Sequence, residues 1–326
     1  MRGVTGGVAA GVAAVVIAPA YGGPEVLRVV DEPTPAPGPG QVRLEVRAAG
    51  VNPIDYRSYS GVFGTDPARL PIRPGAEAAG VVTAVGPDAV GPAGPVAEGD
   101  EVIAFRAPGA YAAELVLPGG AIVPKPAALD WPQAGGLMVT GATAWHAVTV
   151  TGVHEGDTVL INGAAGGVGV MAVQLAILRG AGVVATASPA RHAFLRELGA
   201  TPVAYGPGLA GRVRDAAPGG VTAALDLVGT DEAMDVSLAL VADRARVVTI
   251  AAPAKGLAAG IKVIGGAPGA DPGTEIRQAA RLDLARLAGD GKLKVFVTQT
   301  FPLAEAAAAH RVIMTGHATG KIALLP

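Results

Sequence analysis

A glycine-rich turn between a strand-like and a helix-like segment is the feature that most restricts how this chain can fold. The β-branched and apolar run Thr158–Asn162 is followed by Gly163-Ala-Ala-Gly-Gly-Val-Gly169, and an apolar, alanine-rich segment continues to about Arg179. Gly accounts for 48 of the 326 residues, so three glycines at fixed spacing arise roughly once by chance in such a chain. The flanking strand and helix, more than the glycines, therefore give the pattern its meaning.

The turn lies where the pyrophosphate of a dinucleotide would bind. In such turns one glycine permits the tight bend, a second lets backbone amides approach the phosphates, and a third lets helix and strand pack closely. The start of the helix then offers free N–H groups and a favourable dipole. Ala164 stands at the first position of G-x-G-x-x-G, which requires a negative φ there. The context predicts cofactor binding, with a purely structural turn as the alternative.

The end of the second predicted strand, Val183–Ala187, indicates which nicotinamide cofactor is bound. NAD-binding proteins commonly place an acidic residue there, about 20 residues past the glycines, to bind the ribose 2′-hydroxyl. This chain has no acid between that strand and Glu197, and it offers Ser188 and Arg191 instead. A hydroxyl and a cation suit a 2′-phosphate, which favours NADPH over NADH. The alternative is that Ser188 caps a helix and Arg191 is merely solvated.

The pattern of segments changes near residue 131. Residues 13–130 contain short strand-like pieces separated by Pro/Gly clusters, which is typical of a β-barrel-like unit. Beyond Trp131 strands alternate with helices, which predicts a doubly wound parallel sheet. The elements predicted in this later region include helices over Pro132–Thr149, Arg191–Leu198, Thr274–Ala288 and Leu303–Met314, and strands over Ala223–Val228, Ala245–Ala251, Gly260–Ile264, Lys294–Thr298 and Lys321–Leu325.

Composition excludes several classes of protein. With 25 basic and 27 acidic residues intermixed, the chain has no basic surface suited to nucleic acid or to an anionic membrane. No apolar run reaches the roughly 18–20 residues of a membrane span. The N-terminus has one Arg before an apolar stretch, as a signal peptide does, but it continues into Tyr21-Gly-Gly-Pro-Glu and is predicted to be a first strand, Ala14–Ile17, and its turn. A cytoplasmic location is expected. The absence of Cys excludes thiolate catalysis and thiolate–zinc sites.

Several separate stretches resemble the medium-chain dehydrogenase/reductase superfamily, and within it the zinc-independent, zeta-crystallin-like quinone oxidoreductases. The resemblance covers about residues 13–326. The stretches that carry it are Tyr21-Gly-Gly-Pro-Glu-Val-Leu, Ala49-Gly-Val-Asn-Pro-Ile-Asp, Pro74-Gly-Ala-Glu-Ala-Ala-Gly-Val-Val, Glu98-Gly-Asp-Glu-Val, Gly141-Ala-Thr-Ala-Trp, Asn162-Gly-Ala-Ala-Gly-Gly-Val-Gly and Gly320-Lys-Ile.

The resemblance implies an α/β protein with two domains. A GroES-like β-barrel domain for the substrate would take residues 1–130 and 266–326, and a Rossmann domain with a doubly wound parallel sheet would take 131–265 to bind NADPH. It also implies a homodimer. The family pattern places Asn52 beside nicotinamide and substrate, and Thr140 near the nicotinamide amide. The remaining cofactor positions that it implies are Ala165, Gly166, Gly167 and Val168 at the pyrophosphate, Ser188, Arg191 and Tyr205 at the 2′-phosphate, and Ile250 and Ala251 near the nicotinamide.

Zinc-dependent relatives carry an early Cys ligand and a Gly-His-Glu motif. Here the corresponding stretch is Gly75-Ala76-Glu77, so Ala stands in place of the His ligand, and the structural zinc lobe with four cysteines is missing. No metal site is therefore predicted. The five histidines show no compact ligand spacing and are predicted to be surface or helix-end residues: His146, His154, His192, His310 and His317.

Without zinc to polarise an alcohol, alcohol dehydrogenation is poorly supported. The prediction is hydride delivery to a small quinone or enone, with a proton from a side chain or water. Asn52 is the expected hydrogen-bond donor to the substrate oxygen. Tyr56 or Tyr59 is the expected proton donor, unless these tyrosines only pack in a core. Asp55 and Arg57 are alternatively a surface ion pair.

Two other functions remain open. The first is enoyl reduction on a polyketide or acyl thioester, but mitochondrial-type enoyl thioester reductases carry a Tyr where this chain has Phe63, and no basic cluster for a phosphopantetheine or CoA arm is evident. The second is a non-catalytic NADPH-binding protein of the same fold. The segments 56–71 and 252–273 are expected to shape the substrate pocket.

Overall fold

The structure is a computed structural model that describes residues 11–316 and 318–326. Its strands are β1 (Gly11–Ile17), β2 (Arg28–Thr34), β3 (Gln41–Val51), β4 (Glu77–Val85), β5 (Val90–Gly91), β6 (Gly94–Pro95), β7 (Glu101–Phe105), β8 (Glu114–Pro118), β9 (Ile122–Pro124), β10 (Thr158–Asn162), β11 (Gly182–Ala187), β12 (Thr201–Ala204), β13 (Ala223–Asp226), β14 (Val247–Thr249), β15 (Lys262–Val263), β16 (Val297–Pro302) and β17 (Lys321–Leu325).

The α-helices are α1 (Pro53–Tyr59), α2 (Trp131–Gly135), α3 (Met138–Val150), α4 (Gly167–Leu178), α5 (His192–Glu197), α6 (Leu209–Ala216), α7 (Asp231–Leu240), α8 (Pro253–Ala258), α9 (Thr274–Gly289) and α10 (Ala306–Met314). Within residues 11–316 and 318–326, no helix combines the length and the apolar character needed to cross a bilayer. His317 and the first ten residues of the signal-peptide-like segment lie outside the described residues.

The chain divides into two compact units. The first unit contains the described residues up to Val139 together with Val295–Pro326, and the second unit is Thr140–Lys294. The division predicted from the sequence gave 266–294 to the first domain and 131–139 to the second. The contacts assign both segments the other way, because α9 and the turn before it bond to α3 and α4. His146 pairs with Asp271 at 3.0 Å, and the Gln174 side chain binds the Lys294 backbone at 2.8 and 3.0 Å.

The first unit is built on an antiparallel sheet in the order β16-β17-β3-β4-β7-β9, with β8 also pairing with β3. Only β16 and β17 run parallel in it. Strand β3 lies at the centre and is buried along most of its length, with Arg47 as its exposed residue. The side chains of β3, β4 and β17 share one apolar core with α10. This arrangement agrees with the predicted β-barrel-like unit, and β17 begins and ends at the predicted residues.

The second unit is a parallel sheet in the order β12-β11-β10-β13-β14-β15. Strand β10 lies at the centre, between β11 and β13, and the chain moves outward to opposite sides of it. That topology places the loop after β10 at the switch point of a doubly wound fold, where ligands of such sheets bind. The predicted fold class, β-rich unit plus doubly wound α/β unit, is confirmed.

Several predicted elements differ from the structure. The helix expected over Pro132–Thr149 is two helices, α2 and α3. The strand expected at Lys294–Thr298 is shifted to β16, while α1 and β12 were not predicted at all. Both missed elements contain a proline, Pro53 and Pro202. A proline weakens the sequence signal for a helix or a strand. Pro53 occupies the first turn of α1, where its missing N–H costs nothing.

Candidate active site

The glycine turn after β10 has the predicted conformation. Gly163 adopts a positive φ of +77°, and Ala164 is not among the non-glycine residues with positive φ. Both turn amides bond to Thr186 at the end of β11: the Gly163 N–H to its hydroxyl at 3.2 Å and the Ala164 N–H to its carbonyl at 3.1 Å. The turn is therefore fixed to the neighbouring strand, and Ala replaces the first glycine without strain.

Close packing between the turn and α4 explains the last glycine of the motif. A Cβ on Gly169 would lie 2.7 Å from the Ala164 Cα, so a side chain there would push the helix away from the turn. Within the described part of the chain, the amides of Gly167 and Val168 have no hydrogen-bond acceptor. The residues from Ala165 to Val168 are partly exposed. The turn thus offers free N–H groups at a positive helix end, which is what an anion requires.

Two of the three residues predicted for a 2′-phosphate, Ser188 and Tyr205, follow neighbouring strand ends of the sheet. Ala187 and Ala204 are register partners at the ends of β11 and β12, so Ser188 and Tyr205, which follow them, leave the sheet side by side. Ser188 precedes a short 3₁₀ turn, but its side chain makes no cap hydrogen bond. Arg191 and Tyr205 are exposed. Ser188 thus holds the N-cap position without using its side chain as a cap, and the exposed Arg191 agrees with the solvated alternative as well as with a phosphate ligand.

Sequence reasoning missed the residues that hold the Tyr205 loop. The guanidinium of Arg212 on α6 donates to the carbonyls of Ala204, Pro207 and Gly206, all within 2.7–2.8 Å. The Gly206 N–H donates in turn to the Glu232 carboxylate at 2.7 Å. An arginine eight residues past a strand end is the signal that could have indicated these bonds, although many arginines have a similar spacing.

The other predicted cofactor residues occupy the same unit. Thr140 is buried near the start of α3. Ile250 and Ala251 directly follow β14, where the Ile250 N–H bonds to the Asp226 carbonyl at 3.1 Å and the Ala251 N–H to the Thr249 hydroxyl at 3.2 Å. They therefore lie at the carboxyl ends of the parallel strands, as the glycine turn does.

In the first unit, Asn52 belongs to a buried polar cluster with Glu77 and Lys321. The Lys321 ammonium donates to the Asn52 Oδ1 at 2.7 Å and to the Glu77 Oε1 at 2.8 Å. The Asn52 Nδ2 donates to the same Glu77 oxygen at 2.9 Å and to the Gly50 carbonyl at 3.3 Å. The second Glu77 oxygen accepts the Val139 N–H at 2.8 Å. The cluster satisfies its charges internally, and both Asn52 amide hydrogens are engaged.

Next to this cluster, four buried side chains are hydrogen-bonded in series. The Asp55 Oδ2 accepts the Tyr111 hydroxyl at 3.0 Å and the Asn52 backbone N–H at 2.7 Å. The Tyr111 oxygen lies 3.0 Å from the His310 Nε2, and the His310 Nδ1 lies 2.6 Å from the Tyr59 oxygen. We call Asp55, Tyr111, His310 and Tyr59 the carboxyl chain. Their exposed fractions are 3%, 0%, 0% and 0%, so water does not compete for these bonds.

Burial shifts the pKa of each end of the carboxyl chain. It raises the pKa of Asp55 to about 7, against the opposing effect of the two hydrogen bonds that its carboxylate accepts. It lowers the pKa of His310 to about 4. At neutral pH His310 is therefore uncharged, with one nitrogen donating and the other accepting, while Asp55 is present in both protonation states.

Tyr56 differs from its neighbours in α1. It is only partly buried, and its ring meets the His310 ring edge-on at 6.4 Å between centroids. Its hydroxyl has no hydrogen-bond partner among the described residues, whereas the Tyr59 hydroxyl is bonded in the core. Both tyrosines were predicted as possible proton donors. Tyr59 is instead packed in the core, which was the alternative, whereas Tyr56 is partly accessible.

Two expectations from the sequence are wrong, one for Asp55 and one for two of the histidines. Asp55 does not form a surface pair with Arg57, because Pro53 starts a helix whose first turn directs Asp55 into the core. His146 and His310 are not surface residues but are fully buried. His310 follows Ala306 and Ala309 on the inner face of α10, and that i, i+3, i+4 spacing was the available signal. His154 is exposed, as expected.

The described residues contain no group of three or more His, Asp or Glu side chains arranged to hold a metal ion. Glu77, which stands in the stretch that supplies a zinc ligand in metal-dependent relatives, is instead neutralised by Lys321 at 2.8 Å.

Comparisons with known proteins agree with this architecture. Residues 38–127 match the alcohol dehydrogenase GroES-like domain family, and residues 198–324 match the zinc-binding dehydrogenase family. A solved structure of Escherichia coli quinone oxidoreductase complexed with NADPH is 26% identical, with a TM-score of 0.83 over 96% of this chain and 100% of that one. The quinone oxidoreductase of Coxiella burnetii is 29% identical, with a TM-score of 0.80 over 97% and 100%.

Two curated relatives match nearly the whole chain. A spectinabilin polyketide synthase system protein of Streptomyces orinoci is 36% identical over 94% of this chain, which spans only 14% of that protein's length. A quinone oxidoreductase of Pseudomonas aeruginosa is 34% identical over 94% of this chain and 98% of its own length. With a barrel-like unit, a doubly wound unit and these full-length matches, the chain belongs to the medium-chain dehydrogenase/reductase superfamily, in its quinone oxidoreductase group.

Proposed function

We propose that this protein is an NADPH-dependent oxidoreductase that transfers hydride to a quinone or to an α,β-unsaturated carbonyl. The observation that carries the proposal is the glycine turn of the second unit together with the adjacent edge of its sheet. The turn offers free amides to a pyrophosphate. Ser188 and Tyr205 follow register-paired strand ends with no acidic residue between Ala187 and Glu197, which suits a 2′-phosphate rather than a free hydroxyl.

The residues present fit this cofactor. The free amides of Gly167 and Val168 would bind the pyrophosphate, with Ala165 and Gly166 forming the turn beside it, and Gly169 keeps the helix end close to that turn. Ser188, Arg191 and Tyr205 would bind the 2′-phosphate, while Thr140, Ile250 and Ala251 would lie along the nicotinamide. The bound cofactor would supply a hydride. The protein's own contribution is to bind and orient the two reactants and to stabilise the oxygen on which negative charge develops.

The first unit contributes the polar groups of the substrate side. Asn52 is held by Lys321 and Glu77, and through its backbone N–H it fixes the Asp55 carboxyl. We therefore assign Asn52 a positioning role in this conformation. The partly exposed Tyr56 and the exposed apolar residues Ile54 and Phe63 offer a surface that suits a flat, weakly polar acceptor.

Turnover with a panel of acceptors tests the proposal. Stopped-flow absorbance would follow NADPH oxidation with benzoquinones, alkyl enones and crotonyl thioesters, with NADH as the matched control. We expect turnover with the first two classes and a clear preference for NADPH. Tight NADPH binding without turnover of any acceptor would contradict both enzymatic functions and support a non-catalytic NADPH-binding protein.

Enoyl reduction on a thioester is the second candidate, because the Streptomyces orinoci relative is a polyketide synthase system protein. In the same panel, crotonyl thioesters turning over faster than enones and quinones would favour this function over the first. Phe63, in place of the Tyr of mitochondrial-type enoyl thioester reductases, argues for the quinone or enone. A homodimer and a cytoplasmic location remain predictions from the sequence.

A further inference from the structure

The Asp55 carboxyl has two unlike oxygens. Its Oδ2 accepts both of the hydrogen bonds that reach the group, from the Asn52 N–H at 2.7 Å and the Tyr111 hydroxyl at 3.0 Å. Its Oδ1 accepts none from the described residues. A proton on the carboxyl therefore belongs on Oδ1, the oxygen that no donor occupies.

The carboxyl chain holds Asp55 ready to change its charge inside the core. Because His310 is neutral, its Nδ1 can accept from the Tyr59 hydroxyl while its Nε2 donates to the Tyr111 oxygen. The Tyr111 hydroxyl is then directed at the Asp55 Oδ2. This orientation supplies a donor to the carboxylate once the proton has left, so the negative charge formed is compensated without movement of the backbone.

Charges on other elements set the surroundings of the chain. Lys321 on β17 favours the Asp55 carboxylate and Glu77 on β4 disfavours it. Tyr59 is influenced by Asp55, by Glu25 and by Arg311. Lys321 and Glu77 already form their own ion pair at 2.8 Å, so neither is a free competitor for the Asp55 proton.

We infer that Asp55 is the proton donor of the reaction proposed above, on which this inference rests, and that Tyr111 and His310 are its positioning residues. Hydride addition leaves two electrons on the acceptor and negative charge on its oxygen. The Asp55 O–H bond then breaks and a new O–H bond forms on that oxygen, leaving the Asp55 carboxylate. Water returns the proton before the next turnover, so NADPH, acceptor and one proton give NADP⁺ and reduced acceptor. Asp55 replaces Tyr56 in the role that the sequence predicted.

The first test does not depend on activity. Infrared spectroscopy of the cofactor-free protein should show a carboxylic C=O band that disappears with a midpoint near pH 7. The band should be absent in Asp55→Asn and retained in the matched control Asp66→Asn, whose carboxylate caps an exposed turn. Tyr111→Phe removes a donor to the carboxylate, so its midpoint should rise. A wild-type spectrum with no carboxyl titrating between pH 6 and 8 would overturn the inference.

The second test uses an enone and NADPH. We expect Asp55→Asn to lower kcat about 10²-fold, as loss of a general acid does, and to remove the decline of kcat above pH 7. Deuterated NADPH should show a smaller isotope effect in the variant, because protonation has become slower than hydride transfer. Tyr111→Phe should keep activity but move the pH profile in the same direction as the infrared midpoint. Circular dichroism and thermal melts establish that each variant folds.

The outcomes separate this inference from the proposed function. If the wild type oxidises NADPH with none of the acceptors, the proposed function fails and the donor role fails with it. If the wild type turns over normally and Asp55→Asn keeps its kcat and pH profile, only the donor role is overturned. A tenfold or greater loss in Tyr56→Phe, with Asp55→Asn unaffected, would return the role to Tyr56.

Discussion

The two units build their candidate sites from opposite materials. In the second unit the glycine turn from Gly163 to Gly169 offers backbone amides, and its glycines leave room because they carry no side chain. Its residues are neighbours in sequence. In the first unit the polar cluster and the carboxyl chain consist of polar and charged side chains that are up to 269 residues apart. A site made of backbone depends on close approach, whereas a site made of buried charges depends on every partner being present. Substitutions should therefore destabilise the two units for different reasons: uncompensated charge in the first unit and steric overlap in the second.

Breaking the ion pair in the first unit should have the largest effect. Lys321→Met leaves the buried Glu77 carboxylate without its cation, and such losses cost about 3–5 kcal/mol of unfolding free energy. Adding Glu77→Gln should recover part of that loss because it removes the uncompensated charge. Urea unfolding measures both variants. The control is Arg47→Gln, which breaks an exposed pair with Glu45 and should cost about 1 kcal/mol or less. If Lys321→Met and Arg47→Gln lowered the free energy of unfolding equally, burial of the ion pair would not matter and this account would be contradicted.

The carboxyl chain should give the first unit two opposing pH dependences. Asp55 has a raised pKa, from 3.8 to about 7, so its contribution is complete below pH 3.8 and is lost as the pH rises to 7. His310 has a lowered pKa, from 6.5 to about 4, so its contribution is complete above pH 6.5 and is lost as the pH falls to 4. Between these limits each group changes stability by about 1.4 kcal/mol per pH unit, and the two effects offset each other.

A substitution that removes one of the two groups should therefore leave the pH dependence of the other visible in the unfolding free energy. In His310→Gln, stability should fall as the pH rises from 4 to 7, and in Asp55→Asn it should fall as the pH drops from 6.5 to 4. Urea unfolding across that range measures both. His154→Gln is the control, because that side chain is exposed, and it should follow the wild type. Parallel profiles for all the variants would show that neither pKa shift exists.

A methyl group should be enough to disturb the second unit. At Gly169 an Ala Cβ would meet the Ala164 backbone at 2.7 Å, so we expect a loss of about 1–3 kcal/mol from overpacking, together with weaker NADPH binding. Gly211→Ala is the matched control, since it lies in α6 with nothing within 4 Å of its Cβ. That change should instead stabilise the protein by about 0.5–1 kcal/mol. Thermal melts and calorimetric titration with NADPH compare the two.

A substitution at the exposed edge of the second unit should have the smallest effect on stability. Arg191→Gln should leave the melting temperature unchanged, because the side chain is exposed. It should weaken NADPH binding about tenfold, the lower end of what a charged hydrogen bond contributes, and leave NADH binding unchanged. Arg196→Gln on α5, also exposed, is the control. If the two variants bound NADPH equally well, the 2′-phosphate site would lie elsewhere.

The sequence by itself determined the parts of the protein whose members are neighbours along the chain. Thr158–Asn162 and Lys321–Leu325 are strands at the predicted residues. The glycine turn was predictable because the spacing of its glycines and the apolar strand and helix on either side of it depend only on local backbone geometry. The parallel sheet of the second unit followed from the alternation of strands and helices, because that alternation is typical of βαβ connections between parallel strands.

Only the tertiary structure decided which side chains meet in the first unit. The alanine spacing that accompanies the buried His310 is a weak signal, because all four residues before it are alanine and no face of the helix stands out. Asp55 looked like one half of a surface pair with Arg57 until α1 directed it into the core beside Tyr111. Burial changes what such groups do, because a carboxyl or an imidazole removed from water loses the solvation of its charged form. That loss depends on the packing of distant segments, and the sequence does not record it locally.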